Sequence, residues 1–322
     1  MTRLVIIGAD GAGMSAAAQA RRRDPKLEIV ALERGRHTSY SACGIPYVVG
    51  GVVDDLEDLV VRTPQEFRDQ SRIDVRIEHE VTSIDLEAGH VAVVDRSRNR
   101  SFSLGFDELV VATGARPRRP DLAGIDLPFV RGVQTLDDGA ALLDMVAATK
   151  WGDVVVVGAG YIGLEMAEAF VQRGARVVLV ESSGQCMSTL DPDMAGLAAE
   201  ALRRFGVELR TGVAVEGFEE GKVHTAAGEL SADLVVLGLG VQPNVALARD
   251  AGIEVGQTGA IAVDRRQRTR TEHVWAAGDC AESFHLVSRR PVHIALGTVR
   301  RWRSRSRAPP VPSTSPAPGR SR

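Results

Sequence analysis

Cys43 has no cysteine partner nearby in the sequence. A dithiol centre would need one five residues on, where Val48 stands, and a Cys-x-x-Cys motif would need one three residues on, where Pro46 stands. Both local dithiols are excluded. Redox chemistry at Cys43 must therefore use an outside partner, either a small thiol in a mixed disulfide or an oxygen as a sulfenic acid. Cysteine is scarce overall: Cys43, Cys186 and Cys280 are too few and too scattered for a secreted disulfide framework. No apolar run reaches the length of a membrane span, and the chain reads as a strand from Leu4, which leaves no room for a leader peptide. His37, His79, His285 and His293 lack metal-ligand spacing, so no metal is expected. A cytoplasmic location is the simplest one consistent with these absences.

Acid is missing from one region. Residues 300–322 contain seven of the 39 basic residues, with five Pro, five Ser and no Asp or Glu. The remainder holds 32 basic and 42 acidic residues, a net of −10, and so gives no reason to expect nucleic-acid binding. The Arg/Pro/Ser stretch cannot bury apolar surface and is expected to be disordered. At 322 residues, with 44% hydrophobic and 25% charged, the chain has room for two α/β domains.

Two glycine-rich turns are present. The apolar run Leu4-Val5-Ile6-Ile7 precedes Gly8-Ala9-Asp10-Gly11-Ala12-Gly13 and a helical stretch from Met14 to Arg23. A strand, a tight turn and a helix N-terminus make a pyrophosphate site, because free N–H groups and the helix dipole face the anion. Leu27 to Glu33 reads as the next strand and ends in an acid twenty residues after Gly13, placed to accept ribose hydroxyls. Asp10 stands where a middle glycine is usual, and Gly11 offers clearance one residue later. An ordinary βαβ turn is the alternative reading of this copy.

The second copy has every glycine. Val154 to Val157 leads into Gly158-Ala159-Gly160-Tyr161-Ile162-Gly163 and a helical run to Arg173. Val177 to Val180 follows, with Glu181 eighteen residues after Gly163. Glu181 would repel a 2′-phosphate and favours NADH, although a nearby Arg inverts such a preference; NADH or NADPH both stay open. Two units about 150 residues apart suggest two nucleotides and electron transfer between them.

With Cys43 between these units, the chain resembles FAD-dependent pyridine nucleotide–disulfide oxidoreductases of the single-cysteine branch, from residue 3 to about 298. Leu109 to Ala115, containing Thr113-Gly114, resembles the crossover out of the FAD domain. Leu234 to Gly240 with Val241-Gln242-Pro243-Asn244 resembles the return, and Val274 to Asp279 resembles the second FAD motif. The resemblance implies two Rossmann-like three-layer domains: an NAD(P)-binding domain over 115–241, inserted in a discontinuous FAD domain over 1–114 plus 242–299. It implies FAD contacts at Gly8, Gly11, Gly13, Glu33, Thr113, Gly114, Gly278 and Asp279. NAD(P)H contacts are implied at Gly158, Gly160, Ile162, Gly163, Glu165 and Glu181.

Within the branch the sequence is similar to coenzyme A-disulfide reductases. Gln19, Arg22 and Ser39 match positions that contact CoA in that group, and Gln19 and Arg22 share a helix face. Two positions depart: Ala42 stands where Asn is frequent, and Ser71 where a lysine contacts CoA, with Arg68 and Arg72 close by. Gly11 stands where the oxidases and peroxidases of the branch commonly carry a His.

The implied reaction passes electrons from NAD(P)H through flavin to Cys43, which reduces CoA disulfide or a related small disulfide or persulfide. NADH oxidase or peroxidase cycling through a Cys43 sulfenic acid, a ferredoxin-type reductase, and an inactive flavin-binding remnant remain alternatives. The family is homodimeric through a C-terminal domain. Here the pattern stops at Thr298 and the 300–322 stretch stands in place of that domain, as a frameshift or truncated gene product would read.

Overall fold

The computed structural model describes residues 2–149 and 152–293. Ala295–Thr298, at the end of the expected FAD domain, and the 300–322 stretch lie outside them.

Two five-stranded parallel sheets form the frame. The first runs Val274–Ala276, Glu108–Val111, Arg3–Ile7, Glu28–Leu32, Asp74–Arg76. The second runs Glu208–Thr211, Arg176–Glu181, Asp153–Val157, Leu234–Leu237, Val130–Gly132. The first sheet thus joins strands from both ends of the chain, and strand Val274–Ala276 pairs directly with Glu108–Val111.

The β-branched runs are buried on both faces, as parallel strands require, and residue alternation divides them between two layers. Leu4 and Ile6 pack on helix Gly11–Arg23, in a cluster with Met14, Ala17 and Ala20. Val5 and Ile7 face the other way, onto Ile84, Val91 and Val93 of an antiparallel sheet spanning His79–Gly105. The second half repeats the plan. Val154 and Val156 pack with Met166 and Phe170 of helix Tyr161–Gln172, while Val155 and Val157 meet Phe218, Val223 and Leu230 of a second antiparallel sheet. Each half therefore has three layers, and each fully buried Val, Leu or Ile contributes about 1.5–3 kcal/mol.

Two short segments join the halves. Ala115–Pro117 and Val241–Pro243 pair antiparallel, Ala115 opposite Pro243.

The segment after Cys43 departs from the simple division at residues 114 and 115. Helix Ile45–Gly50 buries Ile45, Val48 and Val49 in the core of the second half, with Val154, Met166, Ala169 and Phe170. Arg173 fastens it, Nε donating to the Val49 carbonyl at 2.8 Å. Among the described residues no helix is long and apolar enough to cross a membrane.

Candidate functional site

The two glycine turns have the same backbone construction. Gly8 and Gly158 adopt φ +97° and +99°, open mainly to glycine. A Cβ on Gly13 would strike the Gly8 carbonyl, and one on Gly163 would strike the Gly158 carbonyl, so helix and strand approach as closely as backbones can. Gly11 and Gly160 differ in kind: a Cβ at either meets nothing within 4 Å. These two glycines line open space, as a pyrophosphate cradle requires.

The strand-end acids brace the turns identically. Glu33 Oε2 accepts from Ala9 N at 2.9 Å and its Oε1 from Gly35 N at 2.9 Å. Glu181 Oε2 accepts from Ala159 N at 2.8 Å and its Oε1 from Ser183 N at 2.8 Å. Burial works to raise the Glu181 pKa, but the Ser183 and Ala159 donors outweigh it and hold the carboxyl below its ordinary value. Ile162 is half-buried behind this turn.

Helix Gly11–Arg23 starts three residues before the expected Met14, with Asp10 at its N-cap. Asp10 makes no side-chain capping bond; its Oδ1 instead accepts from Tyr40 N at 3.2 Å. Burial pushes its carboxyl up to about 6; the Tyr40 N–H opposes the rise, and the charges of Glu33 and Asp279 add to it. Asp10 thus links the first turn to the loop that leads to Cys43. Ser39 N donates to Ala9 O at 3.3 Å in the same link, and Ser39 sits at φ +50°.

The remaining residues expected at FAD gather here. A Cβ on Gly278 would lie 2.6 Å from that of Ala12, so Gly278 and Asp279 abut the first helix N-terminus. Gly8 lies against the Ala112 carbonyl, next to Thr113. Gly114, at φ +65°, has open space where a side chain would be.

Cys43 is exposed, in the turn Ala42–Gly44 just before helix Ile45–Gly50. Tyr161 opens helix Tyr161–Gln172 of the second half, and the charges acting on it include that of Cys43. Burial raises the Tyr161 pKa, and the charges of Asp279, Cys43 and Glu165 raise it further. Beside the sulfur, Ala42 packs on the core of the second half, while Tyr40 N bonds Asp10 of the first. Glu165 lies on the exposed face of its helix, where partial burial and Glu168 raise its carboxyl. Cys186 and Cys280 are fully buried, and burial raises both thiols.

Gln19, Arg22 and Ser39 share the wall of one cavity of about 750 Å³, which reaches Gly11. Ser71, Arg68 and Arg72 take no part in that wall. Arg68 donates to the Val75 carbonyl at 2.8 Å and Arg72 to that of Pro25 at 3.3 Å. The added cations in the wall are Arg23 and Arg62, which the sequence reading did not single out. A second cavity, about 810 Å³, joins Gly158, Glu181 and Ser182 with Arg118, Arg119 and Arg249. Among the described residues no group of three His, Cys, Asp or Glu could hold a metal.

The family model of pyridine nucleotide-disulphide oxidoreductases matches residues 2–298. The chain belongs to this family. It is similar to the NAD(P)H sulfur oxidoreductase (CoA-dependent) of Pyrococcus furiosus, at 39% identity over 299 residues, covering 91% of this chain and 66% of that protein. Among solved structures it is similar to the reduced CoADR-RHD of Bacillus anthracis, with TM-score 0.88 and 31% identity, covering 91% of this chain and 54% of that one. It is also similar to a NAD-dependent persulfide reductase from A. fulgidus, with TM-score 0.87 and 35% identity, covering 92% and 56%. The chain thus spans about two thirds of the curated relative's length, 66%.

FAD and NAD(P)H are the cofactors of this family, and both turns fit a dinucleotide. Each leaves open space beside a helix N-terminus, at Gly11 and at Gly160, with a carboxylate at the end of the neighbouring strand.

Proposed function

We propose that the chain is an FAD-dependent NAD(P)H oxidoreductase that reduces a CoA disulfide or CoA persulfide through Cys43. One observation carries this reading: an exposed, lone cysteine stands between Tyr40, bonded to Asp10 of the first half, and helix Ile45–Gly50, buried in the second, four residues from the arginine-lined cavity at Ser39.

The residues have separable roles. Gly158, Gly160, Ile162, Gly163, Glu165 and Glu181 would hold and orient the pyridine nucleotide. Gly8, Gly11, Gly13, Glu33, Thr113, Gly114, Gly278 and Asp279 would hold FAD, which when bound carries two electrons from the pyridine nucleotide towards the cysteine. Gln19, Arg22 and Ser39 would hold the CoA arm. The Cys43 thiolate attacks one sulfur of the disulfide, forming a mixed disulfide and releasing one CoA thiolate. Two electrons then cleave the mixed disulfide, regenerating the Cys43 thiolate and releasing the second CoA thiolate. With a CoA persulfide the thiolate attacks the outer sulfur, releasing CoA thiolate and leaving a Cys43 persulfide, which two electrons cleave to the Cys43 thiolate and hydrosulfide. Free thiols at all three cysteines suit a reducing cytoplasm.

The test is an anaerobic titration with NADH, followed by CoA disulfide. The flavin absorbance is expected to bleach with NADH and recover with the disulfide as free CoA thiol accumulates. Bleached flavin that ignores CoA disulfide would refute the reading.

A further inference from the structure

The cavity that joins Gln19, Arg22 and Ser39 also receives Arg62, and its described walls contain no carboxylate. Three arginines, Arg22, Arg23 and Arg62, therefore line one space. Among the described residues none of the three forms an ion pair. Arg22 spends Nε and one terminal nitrogen on the neutral Oε1 of Gln19, at 3.1 and 2.5 Å. Glu66 is an acid whose charge interacts with Arg62. Its carboxylate is already engaged, accepting from Thr63 N at 2.8 Å and Thr63 Oγ1 at 2.9 Å.

Arg62 is held in place. Its Cζ stands over the ring of buried Phe67, 5.0 Å from the centroid. A guanidinium supported on a ring keeps its in-plane N–H fork for an anion. The backbone is fixed as well: Val61 N donates to Ser39 O at 2.8 Å, and Val60 bridges Tyr40. Arg62 is thus carried by the segment paired with the loop that leads to Cys43.

Concentrated, unpaired positive charge beside an apolar floor suits a ligand with phosphates at one end and an uncharged arm at the other. We infer that Arg62 is a specificity-determining residue which, with Arg22 and Arg23, selects thiols that bear a phosphorylated nucleotide over thiols that do not. The inference rests on the CoA reading above and adds to it the residue that recognises the nucleotide end. Arg62 supplies the cation that Ser71 does not.

The test is calorimetric binding of CoA, dephospho-CoA and pantetheine to the flavin-loaded protein, independent of turnover. Arg62→Ala is expected to weaken CoA binding about ten- to hundredfold, as loss of a charged hydrogen bond does. The loss should be smaller for dephospho-CoA and absent for pantetheine, and the salt dependence of CoA binding should become shallower. Arg68→Ala, whose guanidinium is turned to a backbone carbonyl, should bind CoA like the parent. Equal CoA affinity in parent and Arg62→Ala would overturn this inference and leave the CoA reading standing. Equal losses for CoA and pantetheine, or an equal loss in Arg68→Ala, would also overturn it. No CoA binding by the parent would overturn both.

Discussion

Thr113 and Asn244, 131 residues apart, bond each other twice: Thr113 Oγ1 donates to the Asn244 carbonyl at 2.7 Å, and Asn244 Nδ2 donates to the Thr113 carbonyl at 2.9 Å. Asn244 N also donates to the Gly114 carbonyl at 2.9 Å. These residues sit at the two places where the chain passes between halves, so the bonds fix how one half is set on the other. Asn244→Ala leaves the Thr113 carbonyl unpaired and is expected to cost about 1–3 kcal/mol. Denaturant unfolding measures this. A double-mutant cycle with Thr113→Val should show coupling, since the two changes act on one junction; strictly additive losses would contradict the paired arrangement.

The second turn separates two uses of glycine. A Cβ on Gly163 meets backbone, the Gly158 carbonyl carbon lying at 3.1 Å, and backbone cannot swing aside. Gly163→Ala is expected to destabilise the protein by about 1–3 kcal/mol. Gly160 has nothing within 4 Å. Gly160→Ala should leave stability within about 0.5 kcal/mol while its methyl group occupies the cradle and weakens NADH binding. Thermal unfolding without nucleotide, paired with an NADH titration, reads both effects. Equal stability losses in the two variants would rule out this division of roles.

Asp10 should impose a pH dependence on stability. Its folded pKa is raised by burial from 3.8 to about 6. A raised value means the fold favours the protonated form. The contribution is complete below pH 3.8 and is lost as pH rises through about 6. Asp10→Asn keeps an acceptor for Tyr40 N and removes the charge. It should therefore stabilise the flavin-free protein at pH 8, by at most about 3 kcal/mol, with the gain shrinking towards pH 4. Unfolding midpoints of parent and variant across that range test it. A gain that stays constant with pH would exclude Asp10 as its source.

Much of this site was legible because it follows from local rules. A glycine turn between a β-branched run and a helix announces itself in sequence, and Glu33 and Glu181 fall where strand length puts them. Relationships between distant segments were not legible. Ile45, Val48 and Val49 are apolar, yet nothing local says they are buried against Met166 and Phe170 of the other half. Arg62 reads as an ordinary surface charge. Only the pairing of Val61 with Ser39 and the ring of Phe67 bring it to the cavity. The side chain of Asp10 likewise depends on a partner, Tyr40, thirty residues away.

The three cysteines should differ sharply towards an alkylating agent. The attacking species is the thiolate, and the sulfur must be reachable. Cys43 is exposed, whereas Cys186 and Cys280 are 0% exposed. Burial raises the thiol pKa of both buried residues, so they are shielded by access and by protonation together. Iodoacetamide on the native protein at pH 8 should modify Cys43 alone, and all three after unfolding. Peptide mass mapping locates the label. Cys43→Ser should take up none in the native state. The same variant should still let NADH bleach the flavin, because neither glycine turn is touched, but CoA disulfide should no longer restore the absorbance. Native labelling at Cys186 or Cys280 would show that their layers open far more readily than this packing permits. Recovery of the flavin by CoA disulfide in Cys43→Ser would show that the electrons reach the disulfide by a route that does not pass through this sulfur.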